Sequence, residues 1–108
     1  MHDQFAQLWP HLIHPLLDSI NAKEIVEIGS STGQSTKQLI EFCTERQGTL
    51  HVIDPSPHYD PEEFQEKHGS FTFYNELSLV ALPKLQKYDA ILIDGDHNWY
   101  TLTNELLL

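Results

Sequence analysis

Apolar positions recur along this chain with a helical period near the start and in short runs further on. Phe5, Leu8, Trp9, Leu12, Ile13, Leu16, Leu17 and Ile20 fall at helical spacing, which predicts an amphipathic helical cover over residues 1–21. Pro10 and Pro15 lie inside that pattern and predict a split or a bend, because proline lacks the amide donor and crowds the preceding turn. Residues 23–28 form a compact apolar run, read as a first strand. Helical spacing returns over 34–46 through Leu39, Ile40, Phe42 and Cys43, and Gly48 ends it. Residues 50–53 read as a second strand. The stretch 54–61 is rich in turn formers, and Pro61 suits the first turn of a helix running to about Lys67. A third strand at 70–74, a short helix at 77–85 and a fourth strand at 88–93 follow, and a last helix is expected from about Trp99.

Strands that alternate with helices predict a parallel sheet covered on both faces, an α/β fold of three layers, α/β/α. The expected architecture is a Rossmann-like, doubly wound parallel sheet with strand order 3-2-1-4. In that order strands one and four are neighbours where the winding reverses, and their C-terminal ends share a crevice. The two segments that packing explains least, residues 29–33 and 94–97, fall at those ends.

The first of these sits in the run EIVEIGSSTGQST, residues 24–36. Gly29 and Gly33 allow a turn and a close approach of backbone to a ligand. The middle glycine of a G-x-G-x-x-G dinucleotide loop is missing, and Glu27 adds a carboxylate beside the turn, so a pyrophosphate is disfavoured and a cationic amino group suits the place better. Asp54, at the end of the second strand, is placed to take a ribose diol with both carboxylate oxygens. A cofactor with a ribose and a cationic amino-acid tail fits this set.

Composition narrows the partners. Sixteen acids against six bases give a net charge of −10, and no stretch gathers Lys or Arg with aromatics, so nucleic acid would be repelled and a small-molecule acceptor is the better partner. With 108 residues the chain is one domain at most, and no apolar run approaches the ~18 residues that would cross a membrane. The opening MHDQFAQLWP is unlike a secretion signal, and a single cysteine, Cys43, fits a reducing compartment and reads as core filler; the cytoplasm is the expected location. His2, His11, His14, His51, His58 and His68 have no metal-ligand spacing and read as surface residues, and Asp60, Glu62, Glu63 and Glu66 as a solvated helix face.

Glu27-Ile28-Gly29-Ser30-Ser31-Thr32-Gly33, Asp54 after the second strand, the segment 78–83 and YDAILIDGDH at 88–97 together resemble the class I S-adenosylmethionine-dependent methyltransferases, most of all the branch with IDGDH after strand four. The resemblance spans roughly residue 23 to the end. It implies S-adenosylmethionine as cofactor, with Glu27 and the backbone of Gly29, Ser30 and Gly33 on the methionine part, Asp54 on the ribose and Ser78 near the adenine. It also puts Asp94 where metal-dependent O-methyltransferases of this type supply a carboxylate to a divalent cation such as Mg²⁺. Asp96 is the second candidate ligand. His97, with an ordinary pKa near 6.5, is the candidate general base for a hydroxyl acceptor.

Members of that class have further strands after the fourth, whereas residues 104–108 end without a glycine or proline stop, which reads as a partial domain. Strand four is then expected to be an edge covered by missing sequence or by a second copy. Two other functions remain open at this point. One is a non-catalytic module that keeps the fold for binding or interaction. The other is a nicotinamide-nucleotide oxidoreductase.

Overall fold

A computed structural model of the chain describes residues 7–85, 87–95 and 98–103, with backbone alone at 94, 95 and 98–103. Five strands, β1 (Glu24–Ile28), β2 (Thr49–Ile53), β3 (Thr72–Tyr74), β4 (Ala90–Gly95) and β5 (Asn98–Thr103), make one sheet in the order β3-β2-β1-β4-β5. The first four are parallel in the expected 3-2-1-4 order, with β1 between β2 and β4 and Ile25 paired with both Leu50 and Ala90.

The helices are α1 (His14–Ser19), α2 (Gln34–Glu45), α3 (Pro61–His68) and α4 (Ser78–Ala81), the last continued by a 3-10 turn over Leu82–Lys84. Strand alternation sends side chains to opposite faces of the sheet and so divides the core. On one face Ile25, Leu50, Val52, Ala90 and Leu92 pack with Ile13 just before α1, Leu17 of α1, Leu39, Phe42 and Cys43 of α2, and Phe64 of α3. On the other, Val26, Ile53 and Ile91 pack with Ala81 of α4. Helices on the outward crossovers from β1 to β3 thus share a face, and the helix on the return to β4 takes the other, as a doubly wound sheet requires.

Both early prolines leave their mark. Residues Trp9–Ile13 form a π-helical turn in which the amide of His14 donates to the carbonyl of Trp9, and α1 continues from there with Pro15 in its first turn. Pro15 has no amide to offer His11, so the wider turn ahead of it relieves the clash that an unbroken α-helix would meet. Arg46 ties this segment to α2, with its guanidinium 3.7 Å from the centroid of Phe42 and 3.0 Å from Asp18.

The segment beyond β4 corrects the sequence reading. The expected helix from Trp99 is instead β5, which runs antiparallel to β4 from the pair Gly95 and Asn98 to the pair Ala90 and Thr103. Trp99, Tyr100, Thr101 and Thr103 are aromatic or β-branched, types that favour a strand when a neighbour offers a ladder. β4 is therefore not an edge. Asp96 and His97 lie outside the described residues, between the paired positions 95 and 98.

At the opposite end of the sheet, Asp89 accepts from the amides of Lys23 (2.8 Å) and Glu24 (3.0 Å), which fixes where β1 and β4 begin. Gly48 passes so close to β1 that a Cβ there would lie 2.3 Å from the Lys23 carbonyl oxygen. Gly48→Ala is expected to lower stability by about 1–3 kcal/mol, because the obstacle is backbone and cannot swing aside. Urea unfolding followed by circular dichroism measures the loss.

Candidate functional site

The turn between β1 and α2 lies at the C-terminal end of the central strand, beside the point where the winding reverses. Gly29 (φ 81°), Ser31 (φ 49°) and Gly33 (φ 89°) all adopt left-handed backbone, so the chain reverses tightly and enters α2 without a side-chain cap. Gly33 is also required for space, since an added Cβ would sit 2.5 Å from the ring of Phe64. Residues 29–33 thus fold back over two carboxyl groups, Glu27 on β1 and Asp54 just past β2.

Glu27 points to the helix-bearing face of β1 and is fully buried. Its Oε1 accepts from Thr36 Oγ1 at 2.6 Å, and its Oε2 accepts from Ser35 Oγ. Both hydroxyls belong to the first turn of α2, where the helix dipole favours a negative charge. Ser35 and Thr36 were not singled out in the sequence. The available signal is a pair of hydroxyl residues immediately after a glycine turn, with an acid in the strand beneath.

Asp54 stands just past β2 and is 6% exposed. Its Oδ2 accepts from the Ser30 amide (2.8 Å), the Ser30 hydroxyl (2.8 Å) and the Ser31 amide (3.2 Å), and its Oδ1 accepts from the Ser56 amide (2.9 Å). Burial pushes the Asp54 carboxyl upward, but the hydrogen bonds from Ser56, Ser30 and Ser31 outweigh it and hold the pKa below the ordinary 3.8. With three donors on Oδ2, a two-oxygen grip on a diol is closed in this arrangement. By lone-pair count Oδ1 retains one acceptor position.

Ser30 is buried between Asp54 and Tyr59, whose phenol donates to Ser30 Oγ at 2.7 Å. The amide of His58 donates to the Ser31 carbonyl at 2.8 Å, so the segment after β2 is fastened to the glycine turn at several points. Tyr59 is a third residue that the sequence does not single out, because one tyrosine in a turn-rich stretch has no distinctive spacing. The structure brings Glu27, Gly29, Ser30, Gly33 and Asp54 into one cluster. Ser78 is the first residue of α4, half-buried, next to the exposed Leu77.

Asp94 is the fifth residue of β4, paired in register with Trp99, and its backbone lies on the strand beside β1. The catalytic and metal assignments to Asp96 and His97 lie outside the described residues. Among the described residues no three His, Cys, Asp or Glu side chains converge as a metal site, and no helix is long and apolar enough to cross a membrane. Three of the scattered histidines, His14, His51 and His68, are half-buried where surface placement was expected. His51, on β2, is only 13% exposed at its side chain, with Nε2 3.2 Å from Glu24 Oε1 and Nδ1 3.2 Å from Tyr74 Oη.

Because the folded pKa of Asp54 lies below its unfolded value, its contribution to stability is complete above about pH 3.8 and disappears as the pH falls through the folded pKa. Asp54→Asn places an amide against two backbone donors and is expected to cost about 1–3 kcal/mol at pH 7. The gap between wild type and variant should close as the pH drops below 3.8. Denaturant midpoints measured from pH 7 to pH 2 show whether it does.

The model of a family described as a methyltransferase domain matches residues 26–108, which runs from within β1 through β5 and includes every residue of the cluster. Neither the curated proteins nor the solved structures yield a match. The match takes in the glycine turn, the aspartate past β2 and the strand beside them, in the order in which the fold assembles them. This chain belongs to the methyltransferase domain family.

Proposed function

We propose that the chain binds S-adenosylmethionine at the crevice formed by the ends of β1, β2 and β4, and that it serves methyl transfer to the hydroxyl of a small molecule. The observation that carries the cofactor reading is the pair of acids under the glycine turn. The amides of Ser30 and Ser31, which could otherwise cradle a phosphate, are turned onto Asp54, and the first turn of α2 stands over Glu27. A pyrophosphate entering here would meet carboxyl groups where a dinucleotide loop offers free donors. A ligand bearing an ammonium and a sulfonium meets a favourable potential instead.

In this reading the backbone at Gly29 and Gly33 lies against the methionine portion, and Glu27 acts from beneath it. Asp54 offers the remaining acceptor position of Oδ1 to a ribose hydroxyl, and Ser78 at the head of α4 borders the base. When bound, S-adenosylmethionine supplies an electrophilic methyl group. The chain's own part is to hold the acceptor oxygen in line with that methyl and to receive the proton it loses. The resemblance of residues 93–97 to the IDGDH branch supports a hydroxyl acceptor, with Asp94 orienting and His97 taking the proton.

Titration calorimetry with S-adenosylmethionine and S-adenosylhomocysteine is expected to give 1:1 binding, weakened at least tenfold by Asp54→Ala, a loss of about 1.4 kcal/mol. A folded wild-type chain that binds neither compound contradicts the proposal.

A further inference from the structure

We infer that Tyr59 is a positioning residue that sets the shape of the glycine turn through Ser30 and Asp54, and that this use of the Ser30 hydroxyl withholds it from the ligand. The inference deepens the cofactor reading and rests on it for its functional consequence, while the internal geometry stands apart from any ligand.

The hydroxyl protons leave little freedom. Each of these hydroxyls has one proton to give. Ser30 gives its proton to Asp54 Oδ2 at 2.8 Å, so the proton between Tyr59 and Ser30 at 2.7 Å must come from the phenol. The result is a directed chain, Tyr59 to Ser30 to Asp54, that ends on a carboxylate. Such a chain strengthens each of its links, because every donor is polarised by the charge at its end. Burial pushes the Tyr59 phenol upward, and the nearby Glu27 and Asp54 add to the effect against the opposing hydrogen bonds, so the phenol keeps its proton and remains a donor at neutral pH.

The ring is held as firmly as the hydroxyl. Its centroid lies 4.6 Å from that of Phe64, and Phe64 is the ring that lies against Gly33. Tyr59 thus couples the two ends of the turn, Ser30 by a hydrogen bond and Gly33 by way of an aromatic neighbour. Three residues of the turn take left-handed backbone, and the segment after β2 braces it through the Tyr59 phenol and the His58 amide.

Tyr59→Phe removes the phenolic oxygen and keeps the ring. In the ligand-free protein, amide hydrogen exchange at Ser30 and Ser31 is expected to speed up roughly tenfold, the loss of about one hydrogen bond, while exchange in β1 and β2 and the thermal midpoint stay near wild type. Affinity for S-adenosylhomocysteine is expected to fall about five- to tenfold, and adding Ser30→Ala is expected to weaken it little further, since both changes break one chain. Unchanged exchange at Ser30 and Ser31 in folded Tyr59→Phe overturns the inference, as does a double variant whose loss equals the product of the single losses. If Tyr59→Phe fails to fold, Ser30→Ala is measured in its place, with faster exchange at Ser31 expected and unchanged exchange overturning the inference. A wild-type chain that binds no S-adenosylhomocysteine defeats the cofactor reading, and the exchange result then decides the role of Tyr59 by itself.

Discussion

Burying the Asp54 carboxylate is the constraint around which this end of the molecule is organised. Removing such a charge from water costs several kcal/mol unless donors replace the lost hydration. Four do so here, from Ser30 twice, from Ser31 and from Ser56. Three of them come from the turn after β1 and one from the chain just past β2, so satisfying one side chain sets the position of both segments. The turn can meet this demand only because Gly29, Ser31 and Gly33 take left-handed backbone. Tyr59 and Phe64 then close over it from the segment that follows.

The same arrangement decides what kind of ligand the crevice suits. A glycine turn leading into a helix is ordinarily an anion site, since its amides and the helix dipole point outward. Here the internal acids have taken those roles, Asp54 on the amides and Glu27 on the first-turn hydroxyls of α2. An anion site that has been filled from within presents negative rather than positive potential. Membership of a methyltransferase domain family and the proposed preference for a cationic cofactor thus rest on separate grounds, one on the match over residues 26–108 and the other on the hydrogen bonds.

Much of the fold is legible in the sequence because burial on both faces leaves continuous apolar strands, and 23–28, 50–53 and 88–93 stand out as such. The strand order follows from the alternation with helices. The segment after β4 is ambiguous in the sequence, because Trp99, Tyr100 and Leu102 suit a helix start as well as a strand, and only the ladder of β4 makes it a strand. Within the site, Glu27, Gly29, Gly33 and Asp54 are conspicuous because acids and glycines at strand ends are costly without a purpose. Ser35, Thr36 and Tyr59 are not, since hydroxyl residues are common and their partners lie on other elements. His51 is a similar case, paired with Glu24 and Tyr74 across strands that the sequence separates.

The central claim is that the glycine turn accepts a cation-bearing nucleoside and rejects a pyrophosphate. It is tested most directly by recording ¹⁵N–¹H spectra of the chain during separate titrations with S-adenosylmethionine and with NADH. The account predicts saturable shifts of the Gly29, Ser30, Ser31 and Gly33 amides with S-adenosylmethionine and none at those positions with NADH. Saturable shifts at those amides with NADH alone would contradict it.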